Sequence, residues 1–230
     1  MGVPARPPAG RAPCPPSRTV GSVLAIDHVI VVVHDLDAAA RRFDEQHGLA
    51  SVAGGRHMGH GTGNRIVPLG GSYIELMAVV DRDEAASSPL ASWVARRLSE
   101  VGDAPAALCL RTDDIEAAAR RTGREPLPMR RTRPDGVELA WDLVALDAAL
   151  TDGLPFFIQW HTDEADHPGH AVAEHRRAAV GIAWVELGGD PDRLASWLGE
   201  HGLPLRHAER PPGPHRIAVA LVDGPPIVVG

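Results

Sequence analysis

The sequence predicts an α+β protein built from repeated βαβββ units. Three observations point there: apolar, β-branched runs that switch abruptly to helical spacing, short apolar segments set off by glycine-rich turns, and the return of this order along the chain.

The run Ile26 to Val33 has the length and β-branched content of a buried strand. It leads into Asp35-Leu36-Asp37-Ala38-Ala39-Ala40-Arg41-Arg42-Phe43, where Leu36, Ala39, Ala40 and Phe43 recur at helical spacing and Gly48 supplies a stop. Leu49 to Ala53, Asn64 to Leu69 and Tyr73 to Val79 then read as strands. Ser88-Pro89-Leu90 opens a connecting helix that packs through Leu90, Trp93, Val94 and Leu98. The order returns with a strand at Ala107 to Arg111, a helix from Asp114 to Arg121 ending at Gly123, and strands near Leu127 to Arg130, Val137 to Val144 and Pro155 to Trp160. A weaker third copy begins at Val180 to Leu187. Its helix has Asp190 as cap and Pro191 at the first position, and strands follow near Leu205, Ile217 to Val222 and Ile227 to Val229. The expected divisions are a disordered tail at 1–21, paired modules over 22–170, and a third unit over 171–230 packed on them. The apolar strand Val180 to Val185 and the face Leu194, Trp197 and Leu198 must cover either the preceding modules or a partner subunit, as in a homodimer.

A chain of 230 residues, 44% of them hydrophobic, can bury a full core. Its net charge of -7 comes from scattered carboxylates, and its basic residues are all arginine, so a nucleic-acid footprint is not expected. Cys14 and Cys109 have no partner at metal-ligand spacing, which argues against a disulfide framework or a thiolate zinc site. No apolar stretch approaches the roughly 20 residues that span a bilayer. The proline-rich first residues lack the apolar core of a secretory signal, so a soluble, cytoplasmic protein is expected.

The phrases Asp27-His28-Val29-Ile30-Val31, Asp35-Leu36-Asp37-Ala38-Ala39, Gly63-Asn64-Arg65-Ile66-Val67-Pro68-Leu69-Gly70 and Tyr73-Ile74-Glu75-Leu76 resemble the first module of glyoxalase-like domain proteins. These belong to the vicinal-oxygen-chelate (VOC) superfamily of glyoxalases, bleomycin resistance proteins and dioxygenases. The resemblance covers residues 24 to 161 well and the remainder loosely. It implies paired modules forming a curved, cup-shaped mixed sheet flanked by helices, with a divalent metal on the concave face held by the first and last strands of each module.

Carried over position by position, the resemblance makes His28 and Glu75 metal ligands of the first module. Alignment of the helix starts puts Ala107 opposite His28, an empty ligand place. Alignment of Phe157-Ile158-Gln159-Trp160 with Tyr73-Ile74-Glu75-Leu76 puts Gln159 opposite Glu75. His28, Glu75 and Gln159 would form a three-ligand site with open positions, suited to zinc, nickel, manganese or iron. Glu75 would also be the catalytic base. On the residues alone, a histidine on an apolar strand is more often a hydrogen-bonded core residue, and Glu75 could simply face solvent.

The segment Gly54 to Asn64 reads as a glycine-rich loop whose Arg56, His57, His60 and Asn64 could orient an anionic or carbonyl substrate, or as a flexible hairpin with solvated histidines. His161, His167, His170 and His175 match no zinc spacing and read as a solvated linker, except His161, which could edge the cavity. Trp141, Phe157 and Trp160 read as core, with a Trp near the cup able to line a pocket. Two functions stand open. One is a metal-assisted lyase or isomerase of a small oxygenated molecule, carbonyl or enediol-forming. The other is a metal-free small-molecule binding or resistance protein using the same cup, favoured by Ala107.

Overall fold

The computed structural model describes residues 23–133 and 136–230. The tail expected at 1–21, with Cys14, lies outside the described residues. In β1 (Leu24–Val32), Val29 and Val31 enter one apolar cluster while Ile30 and Val32 enter another. Successive side chains of a strand point to opposite faces, so β1 is buried on both sides and must be central. It pairs parallel with β4 (Tyr73–Val79) and antiparallel with β5 (Ala104–Thr112), which in turn pairs parallel with β8 (Phe156–Trp160). Adding β2 (Val52–His57), β3 (Thr62–Pro68), β6 (Leu127–Thr132) and β7 (Glu138–Val144) gives an eight-stranded sheet in the order β2-β3-β4-β1-β5-β8-β7-β6. The two halves repeat about the β1/β5 pair. The sheet curls into a half-barrel, and its two ends approach each other: a Cβ placed on Gly55 of β2 would lie 3.0 Å from Nη1 of Arg131 of β6.

The convex face carries α1 (Leu36–Arg42), which runs through a π-helical turn at Phe43–His47 to Gly48 at φ 70°. On the concave side, the short α2 (Arg82–Ala85) is followed by α3 (Pro89–Val101), capped by Ser88, whose Trp93 and Val94 pack on Ile30, Val32, Met77 and Ala107. This plugs one end of the cup. The second module's α4 (Ile115–Thr122) returns to the convex face. Asp35 and Asp114 cap α1 and α4 by accepting from Ala38 and Ala117, each worth about 1 kcal/mol.

A second sheet covers the rest of the convex face. It holds β9 (Ala179–Gly188), β10 (Leu205–Ala208), β11 (Gly213–Leu221) and β12 (Ile227–Val229) in the order β10-β9-β11-β12. Its Val185, Leu187, Ile217 and Val219 join Leu108, Leu110 and Phe157 of the first sheet in a single apolar cluster. Full burial of such side chains contributes roughly 1.5–3 kcal/mol each.

One helix lies outside the expected elements and one expectation needs correction. Val137 to Val144 and Pro155 to Trp160 are joined by α5 (Leu146–Asp152), entered through Ala145 at φ 66°. The segment Gly54 to Asn64 is mostly strand, because β2 extends to His57 and pairs with β3 from Val52↔Ile66 to His57↔Thr62. Beyond β9, α6 (Pro191–Leu198) is capped by Asp190 and buries Leu194 and Leu198. No helix among the described residues is long and apolar enough to cross a membrane.

Candidate functional site

His28 and Tyr73 lie side by side across the parallel β1/β4 pair, and Glu75 follows on the same face by the strand's period of two. The rings of His28 and Tyr73 stack with centroids 4.5 Å apart, and Phe156 meets His28 edge-on at 5.7 Å. His28 Nε2 lies 3.6 Å from Glu75 Oε2. The other carboxylate oxygen, Oε1, accepts from Asn64 Nδ2 at 2.6 Å and lies 3.6 Å from His57 Nε2. His28, Asn64 and Glu75 are all buried. The cluster is therefore a polar island in an apolar wall.

Asp27 organises this island. The register between β1 and β5 shifts between Ile26 and His28, a bulge that brings the fully buried Asp27 to the His28 side. Its Oδ1 lies 2.7 Å from His28 Nδ1, while Oδ2 accepts from Trp160 Nε1 at 3.0 Å and from His167 Nε2 at 3.1 Å. Burial alone would raise the Asp27 pKa, but the hydrogen bonds from His167 and His28 and the attraction of those rings hold it well below the usual carboxylate range. Asp27 Oδ1 engages Nδ1 of His28 and leaves Nε2 facing Glu75 Oε2.

The neighbouring acids stay neutral. Burial, reinforced by Asp27 and Glu75, pushes the Tyr73 hydroxyl and the Cys109 thiol well up. Burial also lowers the His57 pKa against the pull of Glu75, with Arg131 and His60 adding to the depression.

Among the expected site residues, the structure brings His28, Glu75, Asn64 and His57 together. It does not bring Gln159, whose Oε1 accepts from Ile115 N at 3.0 Å and whose Nε2 donates to the Asp113 carbonyl, at the start of α4 on the convex side. The register explains why. Glu75 pairs with Ile30 of β1, and the residue of β5 at the corresponding place before its helix is Cys109, which pairs with Phe156. Phe156 is thus the counterpart of Glu75. The motif alignment that selected Gln159 is displaced by an odd number of residues, which turns a strand side chain to the other face. Arg56 turns outward to Asp81 and Glu84 at 2.9 and 3.1 Å, His60 leans on Ser88 at 3.3 Å, and exposed His161 pairs with Asp142 at 2.7 Å.

The residues that sequence reasoning missed come from the supposed solvated linker and from the bulge. His167 is buried, and the linker straps across the first module, with Gly169 O accepting from Gly70 and His175 bridging Ala50 N and Pro68 O. Asp27, Cys109 and His28 also present ligand atoms within 4.8 Å of one another. Beside His167 opens a cavity of about 440 Å3, walled by Val52, Ile66, Leu139, Arg131 and Val172. A more open groove of about 490 Å3 lies near His34, Asp37 and Arg65, and of the cluster only Asn64 lines it.

A family model described as glyoxalase-like domain matches residues 26–202. Among solved structures, a hypothetical protein from Staphylococcus aureus is 20% identical over 87% of this chain and 83% of its own, with a TM-score of 0.58, and shares the fold. Methylmalonyl-CoA epimerases overlap more loosely. The one from Streptomyces coelicolor is 19% identical over 60% of this chain and 97% of its own, with a TM-score of 0.43. The one from Mycobacterium tuberculosis is 20% identical over 63% and 92%, with a TM-score of 0.43. No curated protein matches the chain.

Proposed function

The chain belongs to the glyoxalase-like domain family, and on that premise we propose that it is a metal-assisted isomerase or lyase of a small oxygenated molecule, with His28 and Glu75 as the metal-binding pair. The observation that carries this reading is the alignment of Asp27, His28 and Glu75. A carboxylate bound to one imidazole nitrogen orients the other toward a ligand position, the arrangement that accompanies metal-bound histidines. At 3.6 Å from each other, His28 Nε2 and Glu75 Oε2 are near enough for both to hold one divalent ion. Gln159 is left out of this set because its amide is held at α4.

When bound, a divalent ion would supply Lewis acidity at a substrate carbonyl or enediolate oxygen. The chain's own residues account for the rest. Asn64 fixes Glu75 through Oε1, which leaves Oε2 to serve either as donor to the ion or as the base that takes a proton from a carbon next to the carbonyl, and not as both at once. Asp27 engages His28 Nδ1, and Tyr73 stacks on the His28 ring.

One observation favours the metal-free binding reading. The corresponding places of the second module hold Ala107 and Phe156, both apolar and buried, so neither of these two places offers a donor. Elemental analysis of protein purified without an affinity tag separates the two. The metal reading expects a divalent ion near one equivalent in the parent and its loss in His28→Ala and Glu75→Gln. Background metal in all three proteins would leave the binding reading.

A further inference from the structure

The cavity beside the cluster contains a cation without a partner among the described residues. Arg131 is half-buried on β6 and makes no hydrogen bond or ion pair among the described residues. Its neighbours are engaged: Arg130 pairs with Glu138 at 3.0 Å and Arg133 with Asp166 at 3.2 Å. By the period of two, Arg131 shares the inward face of β6 with Met129, and its cross-strand partner is Leu139. It reaches across the mouth until Nη1 meets the space where a Cβ on Gly55 would stand. Its charge is felt at both His57 and Tyr73.

A half-buried guanidinium with no protein acceptor leaves its donors for a ligand, because desolvated donors without acceptors are costly. Carboxylate matches the planar fork of a guanidinium through two parallel hydrogen bonds. Phosphate dianion fits less well. Among the described residues of the wall this is the one unpartnered guanidinium, since Arg133 is paired with Asp166, His170 is paired with Glu164, and the ionised Asp27 lies beyond His167. Val52, Ile66 and Leu139 give one side of the wall an apolar character, while Arg133 and Asp166 pair with each other and His167 pairs with Asp27 on the other side.

We propose that Arg131 anchors the carboxylate of a small amphipathic acid whose oxygenated carbon points toward Glu75 and His28. This rests on the reading of the cup as a ligand site and names its substrate class as an oxo or hydroxy carboxylic acid. Gly55 belongs to the same device. A side chain there would displace the guanidinium without disturbing the β2/β3 pairing.

The test uses the full chain treated with EDTA, so that binding does not depend on metal. Calorimetric titration compares 4-methyl-2-oxopentanoate, its amide and inorganic phosphate. The acid should bind about tenfold or more tightly than the amide, the preference expected of a charge-assisted bidentate pair. Arg131→Gln should abolish the preference, Gly55→Ala should weaken the acid but not the amide, and Arg130→Gln should change neither. Equal binding of acid and amide, a preference that survives in Arg131→Gln, phosphate binding tighter than the acid, or no binding of either organic probe overturns the proposal. Failure of the metal reading alone would show in the elemental analysis and leave the preference for the acid intact.

Discussion

Asp27 Oδ1 lies 2.7 Å from His28 Nδ1 although the two residues are neighbours on a strand, where side chains normally diverge. The bulge between Ile26 and His28 makes the meeting possible. It converts a histidine on an apolar strand into an oriented one.

Replacing that carboxylate should therefore act on both stability and the site. Asp27→Asn keeps the shape but turns an amide donor toward His28 or toward Trp160 and His167, leaving a buried donor unpaired. Chemical denaturation should report a loss of about 3 kcal/mol. Metal titration should report affinity down by roughly 10–100-fold. Unchanged values in both would show that Asp27 does not orient His28.

Tyr73 is the sole tyrosine of the chain, so its titration can be followed without interference. Its folded pKa is raised, chiefly by burial and also by Asp27 and Glu75. The stability linked to it is complete below the unfolded value of about 10 and is lost as pH rises beyond it. Buried Cys109 shifts in the same direction from its own lower reference value. Tyrosinate absorbance should therefore appear only together with unfolding. A tyrosinate signal near pH 10 in folded protein would contradict the burial of this ring.

Gln159 separates a ligand from a cap. Its amide accepts from Ile115 N at the start of α4, so Gln159→Ala should cost about 1 kcal/mol in denaturation. It should leave metal content and ligand binding as in the parent. Loss of metal with unaltered stability would restore it to the ligand set.

Ending the chain after Arg176 would uncover Leu108, Leu110 and Phe157 where the second sheet now packs. Such a chain should aggregate or associate, because the exposed patch is contiguous. Sedimentation of a soluble monomer with the parent's melting temperature would make the second sheet an independent appendage.

Much of the fold was legible because local signals agreed with it. Tyr73–Val79 and Ile227–Val229 are strands with the expected bounds, and Asp35, Asp114 and Asp190 cap helices where their positions suggest. The misreadings share a cause in long-range structure. The α5 insertion breaks the spacing between modules, and a motif alignment that ignores it turns Gln159 inward when the register turns it outward. His167 meets Asp27 across 140 residues, and its surrounding His-Pro-Gly-His sequence carries the signature of a loop. The bulge at Asp27 leaves no trace in residue type. His28 and Glu75 were legible only through the resemblance, since apolar periodicity gives no reason to prefer them.

His28, Asn64, His57 and Glu75 all come from the first module, whereas Arg131 and Leu139 come from the second, whose own ligand places are apolar. On the proposed reading, reactivity and selectivity would therefore sit on separate halves of the repeated chain. Mutational drift in β6 and β7 can change what the cup admits without touching the groups that act on it.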